Sequence, residues 1–80
     1  MDLIKLTSVL VENILNANDF QIEEKENNEN EIVINISIKE DYMGKLIGKG
    51  GKVIKAIRTI VQASAYINGN KKVTINVESN

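Results

Sequence analysis

Along residues 2–16, apolar side chains return at helical intervals: Leu3, Leu6, Leu10 and Ile14, with Ile4, Val11 and Leu15 widening the stripe. Asp2, Lys5, Glu12 and Asn13 fall mostly on the other side, so an amphipathic helix is predicted. Its polar face is not basic, which favours packing onto a sheet over lying on a membrane surface. Asn16-Ala17-Asn18-Asp19 supplies the stop. Phe20-Gln21-Ile22-Glu23 then alternates as a strand and fades into the acidic, Asn-rich run from Glu24 to Asn30, predicted to be a hairpin tip. From Glu31 to Ile38 the alternation is almost perfect. Ile32, Ile34, Ile36 and Ile38 face one way, while Glu31, Val33, Asn35 and Ser37 face the other, as in a sheet buried on a single face.

After Lys39 a short helix is predicted, with Glu40 and Asp41 at its start, where capping explains them, and Met43, Leu46 and Ile47 inward. A glycine turn follows, then a helix over residues 51–67 with Val53/Ile54, Ile57, Ile60/Val61, Ser64 and Ile67 repeating. Ile54, Ile57 and Ile60 read as core. Asn68-Gly69 tolerates the left-handed backbone that ends a helix, and Lys72 to Val77 alternates as a last strand. The order is helix, strand, strand, helix, helix, strand. A hairpin makes the first two strands antiparallel, and a long helical crossover makes the last two parallel, with right-handed connection. The predicted fold is a two-layer α+β domain spanning residues 1–80, a three-stranded mixed sheet with three helices on one face.

Eighty residues suffice for one modest core, and a 42% hydrophobic fraction supplies it. The chain holds no cysteine, so it has neither disulfides nor thiolate metal sites and suits a reducing compartment. No apolar stretch is long enough to span a membrane, and no basic region with an apolar block opens the chain as a signal peptide does. A cytoplasmic location is expected. The net charge of −1 conceals an asymmetry: residues 1–41 carry three lysines against ten acids, whereas residues 42–80 carry six lysines and Arg58 against Glu78 alone. With screening over roughly 8 Å, a basic patch acts independently of remote acids.

The chemistry concentrates at Leu46-Ile47-Gly48-Lys49-Gly50-Gly51-Lys52, between two helical patterns. Glycines there let backbone N–H groups approach an anion with no Cβ in the way, and the second helix aims its positive dipole end at the same place. A sugar-phosphate backbone fits such a turn. Gly44 and Gly48, four apart, also suit close helix packing. No register supplies Gly-x-x-x-x-Gly-Lys-Ser/Thr. A dinucleotide fingerprint needs a glycine where Val53 stands, and no acidic ribose partner follows. With no His, no Cys and no Ser beside a base, catalysis has no machinery, and neither a cofactor nor a small-molecule substrate is indicated.

Ile47-Gly48-Lys49-Gly50-Gly51 followed by Lys52-Val53-Ile54-Lys55-Ala56-Ile57-Arg58 resembles the KH domain, and the element order resembles its type II form. Asp41-Tyr42-Met43-Gly44-Lys45-Leu46-Ile47 is similar to the small single-domain bacterial branch, the KhpA- or YlqC-like proteins. The resemblance covers nearly the whole chain. It implies a non-catalytic RNA-binding protein whose GxxG turn clamps the backbone of about four unpaired nucleotides, with bases in a groove beside it. By position, Gly48, Lys49, Gly50 and Gly51 form the clamp, flanked by Lys45 and Lys52, and Lys55 and Arg58 extend the positive track. Ile47 and Val53 floor the groove, helped by Leu46 and the edge of Lys72-Val73-Thr74. With only Phe20, Tyr42 and Tyr66 aromatic, recognition rests on apolar contact rather than extensive stacking, and both tyrosines read as packing residues. The resemblance further implies a post-transcriptional role, as regulator or RNA chaperone. It implies a homodimer, or a heterodimer with a larger KH-containing RNA-binding protein. The competing reading is a protein-interaction module that uses this surface for dimerisation instead of RNA.

Overall fold

Four isoleucines on one face of a single strand demand a cover, and the tertiary structure is arranged around that demand. The computed structural model describes residues 2–16 and 19–79; Ala17-Asn18 of the predicted turn lies outside them. The elements are α1 (Leu3–Leu15), β1 (Phe20–Asn27), β2 (Glu31–Ile38), α2 (Glu40–Ile47), a 3-10 turn over Lys49–Gly51, α3 (Lys52–Asn68) and β3 (Lys72–Ser79). The strand order is β1-β2-β3, with β1 antiparallel and β3 parallel to the central β2, as predicted. Ile22 pairs with Ile36 and Ile34 with Ile75.

Ile32, Ile34, Ile36 and Ile38 are each at most 4% exposed, and Val11, Leu46, Ile57 and Val61 from the three helices pack with them. Each such side chain contributes about 1.5–3 kcal/mol on burial, so this layer dominates the fold's stability. Thr7 is the one polar side chain buried there among the described residues, and its hydroxyl donates to the Leu3 carbonyl at 2.7 Å. The opposite sheet face carries side-chain pairs between β2 and β3 instead of helices: Thr74 with Glu31, Asn76 with Asn35, and Ser37 with Glu78. Among the described residues no helix is long and apolar enough to cross a membrane.

Several local readings change. Asp2 is not on the polar face of α1 but is its N-cap, accepting from the Ile4 and Lys5 amides at 3.0 and 3.1 Å. β1 continues through Asn27, past a bulge between Glu24 and Glu26. Its outer half is polar on both faces, so only backbone pairing with β2 reveals it. The tip is tighter than predicted: the Asn28 side chain accepts from the Asn30 and Glu31 amides, both at 2.9 Å. Glu40 and Asp41 do not cap α2; Lys39 is its N-cap without a side-chain bond, and the two acids act on the helix dipole from the first turn. After α3 the left-handed residue is Asn70 (φ 55°), while Gly69 is extended.

The buried face of α3 is Ile54, Ile57, Val61 and Ala65. Ile60, expected in the core, is 45% exposed, and Ile67 is 83% exposed. Steps of three and four along a 3.6-residue helix carry the inward line through Val61, leaving Ile60 one residue off it.

Gly44 does not serve close helix packing, because a Cβ built there meets nothing within 4 Å. An exposed glycine inside a helix costs about 0.5–1 kcal/mol relative to alanine. Gly44→Ala is therefore expected to raise the melting temperature by a few degrees in a domain of this size. A lower melting temperature would reinstate the packing reading.

Candidate nucleic-acid interface

α2 stops at Ile47 because its last carbonyls are closed by a glycine. The Gly48 amide donates to Gly44 O at 2.8 Å, and Gly48 leaves at φ 78°, ψ 171°, a backbone open to glycine alone. The Gly51 amide returns to Gly48 O at 3.1 Å, which closes the 3-10 turn. Gly50 and Gly51 also have positive φ, 64° and 79°. Three of the turn's four residues thus need a backbone that side chains resist. Gly48 has a second reason to lack one: a Cβ there would lie 2.9 Å from Val53 Cβ and 3.0 Å from Val53 N. Val53 is packed beneath the turn and wedges it outward.

Lys49 and Gly50 at the apex are exposed, and Gly51, the N-cap of α3, offers no side-chain cap. The first turn of a 17-residue helix therefore points its positive end to the outside, beside Lys49 and Lys52. An anion set there meets backbone donors, a dipole and ammonium groups at once.

Lys52, Lys55 and Arg58 are exposed at intervals of three, a row that winds around α3 from its outer side toward β3. Arg58 reaches the sheet: its Nη2 donates to Ile75 O at 3.1 Å. The same face continues through Thr59, Gln62 and Tyr66, which with Arg58, Ala63 and Val73 line a groove of about 420 Å³ between α3 and β3. Gln62 is the hinge of this wall. Its Nε2 donates to Lys71 O at 2.8 Å and its Oε1 accepts from the Val73 amide at 2.9 Å.

The structure thus brings together Gly48, Lys49, Gly50, Gly51, Lys52, Lys55 and Arg58. It does not bring in the others alike. Lys45 turns away, its Nζ donating to Leu15 O at the end of α1, at 3.4 Å. Leu46 is fully buried core and forms no groove wall, while Ile47 and Val53 are half-buried against the core. Of the expected edge Lys72-Val73-Thr74 only Val73 lines the groove, and Thr74 donates to Glu31 on the opposite sheet face. Tyr42 packs against the core, but Tyr66 does not; it is 56% exposed at the far end of the groove. Thr59, Gln62 and Tyr66 were not singled out as site residues by sequence. The usable signal was Arg58, Gln62 and Tyr66 at intervals of four, one stripe leading away from the turn.

The model of the family described as "KhpA/KhpB, KH domain" matches residues 5–77. Similar curated proteins include RNA-binding protein KhpA of Clostridium perfringens, 45% identical over 49 residues, covering 61% of this chain and 64% of that protein. RNA-binding protein KhpA of Oceanobacillus iheyensis is 40% identical over 53 residues, covering 66% and 69%. The matches thus span about two thirds of those relatives' lengths. Among solved structures, Era of Aquifex aeolicus bound to GDP and AlF4− gives a TM-score of 0.79 at 13% identity, over 98% of this chain and 30% of that one. Era in complex with MgGDPNP and a segment of 16S ribosomal RNA gives 0.62 at 18% identity, over 99% and 31%. At such identities the likeness is one of fold. The matched model, the element order and the glycine turn agree: this chain belongs to the KhpA/KhpB KH-domain family.

Proposed function

We propose that the chain is a non-catalytic binder of single-stranded RNA, working in the cytoplasm as a post-transcriptional regulator or RNA chaperone. The observation that carries this reading is the uncapped N-terminus of α3 behind a turn with three positive-φ glycines, opening onto Lys49, Lys52, Lys55 and Arg58. The relatives named RNA-binding protein support it. The turn grips phosphates and sugars of about four unpaired nucleotides, and the bases lie along the α3–β3 groove. Phosphate contacts carry no sequence information, so selectivity is weak.

A single clamp holds RNA loosely, and pairing two clamps raises avidity with no new contact to RNA. We further propose that the pairing surface is the other flank of α3, where Val53, Ile60 and Ile67 recur every seven residues and Ile60 and Ile67 lie open. Such a repeat supplies one of the two apolar positions per heptad at which helices packed side by side meet. This flank serves a homodimer or a heterodimer with a larger KH-containing RNA-binding protein.

Lys49→Asp combined with Gly50→Asp tests the clamp. Both positions are exposed, a Cβ at Gly50 meets nothing, and Asp tolerates the left-handed backbone. Binding of short unpaired RNA is expected to disappear while the circular dichroism spectrum and the sedimentation profile stay as in the native chain. With roughly two to four phosphates neutralised, log affinity of the native chain should fall against log salt with a slope of about −1.4 to −2.8. A flat salt dependence, or a preference for duplex DNA, would reject the clamp. For the pairing surface, Ile60→Glu with Ile67→Glu should sediment as a monomer at concentrations where the native chain is dimeric. It should keep its affinity for a tetranucleotide. An unchanged mass would move the interface elsewhere.

A further inference from the structure

The α3–β3 groove runs along α3 away from the glycine turn and reaches Tyr66 near the end of the helix. From Gly51 to Tyr66 the helix rises roughly 22 Å at about 1.5 Å per residue, and the groove lined by Arg58, Gln62, Tyr66 and Val73 occupies the distal part of that length. Here the chemistry of the wall changes. Near the turn it is ammonium and backbone N–H. Midway it is the Arg58 guanidinium, and at the far end a tyrosine ring.

Gln62 decides what this end can bind. Its amide satisfies both Lys71 O and the Val73 amide, so the first edge groups of β3 are already paired, and Arg58 has taken Ile75 O. A base arriving there finds few free edge donors or acceptors on the strand. What remains is the ring of Tyr66, 56% exposed, with the Arg58 side chain in the same groove and no acidic residue in its lining. An exposed aromatic face in a groove that also holds a cation, without carboxylates to repel phosphate, is suited to a stacked nucleobase.

Resting on the RNA-clamp reading above, we infer that Tyr66 is a stacking platform for a base lying beyond the clamped tetranucleotide, which lengthens the RNA footprint. Base–aromatic stacking is sequence-tolerant and strongest for purines, so the site adds affinity for a purine without reading its edges.

The experiment compares tetrauridylate with the same RNA extended by two adenosines at its 5′ or its 3′ end. One extended RNA should bind the native chain about fivefold or more tightly than the tetranucleotide. In Tyr66→Ala that ratio should fall to about one, and Tyr66→Phe should restore it. In a Tyr42→Phe background Tyr66 is the sole tyrosine in a chain with no tryptophan. Its fluorescence should be quenched by the extended RNA and not by the tetranucleotide. No gain from either extension, the same gain in Tyr66→Ala, or unquenched Tyr66 emission would each overturn the inference. The Lys49→Asp/Gly50→Asp variant separates the two readings. If it binds tetrauridylate like the native chain, the clamp itself is refuted; if it does not and only the Tyr66 comparisons fail, the clamp stands without the extension.

Discussion

β2 is hydrogen-bonded along both edges and covered on one face, and this double demand organises the domain. On its second edge the strand is paired with a parallel partner, and a parallel partner requires the chain to travel back across the sheet before pairing. That journey is α2, the glycine turn and α3. The turn exists because the crossover is made of two helices, and it lies at the α2–α3 corner because α2 must leave the end of β2 and α3 must return along it. The position of the glycine turn is therefore a consequence of how four isoleucines are buried.

The same topology sorts the charges. β1 and β3 are the two edges of the sheet, separated by two strand spacings, or about 10 Å. Glu23, Glu24 and Glu26 lie on β1, whereas Lys52, Lys55 and Arg58 lie on α3, with Arg58 reaching the β3 edge. A separation near the screening length lets the acidic edge coexist with a basic groove on a chain of net charge −1. Each edge is also protected from pairing with another chain. β1 is charged, and the start of β3 is sealed by Gln62 and Arg58 from α3.

What could be read from the sequence was whatever burial writes into periodicity. The alternation of β2, the stripe of α1, the element order and the glycine turn are all records of one face in and one face out. The features that escaped have no such record. The outer half of β1 is polar on both faces, so pairing alone defines it. Ile60 and Val61 are neighbours on a helix, and both are apolar; only the packing of Ile57 and Ala65 decides which of them turns inward. Lys45 carries the charge expected of a phosphate contact, but the end of α1 happens to present it with a carbonyl. Gln62 is an ordinary glutamine until β3 passes beside it.

α3 therefore has three faces, each held by a different constraint. Ile54, Ile57, Val61 and Ala65 are fixed by packing, where a change of one methylene is felt. Arg58 and Gln62 are fixed by specific bonds to β3, at Ile75 O and at the Val73 amide, and Lys52 and Lys55 stand exposed on the same helix. Ile60 and Ile67 on the remaining flank are held by neither, while Val53 at its start is half-buried against the core and touches the turn. A soluble domain leaves single apolar residues exposed without consequence, but a seven-residue repeat on the flank opposite the groove is not a scatter of single residues.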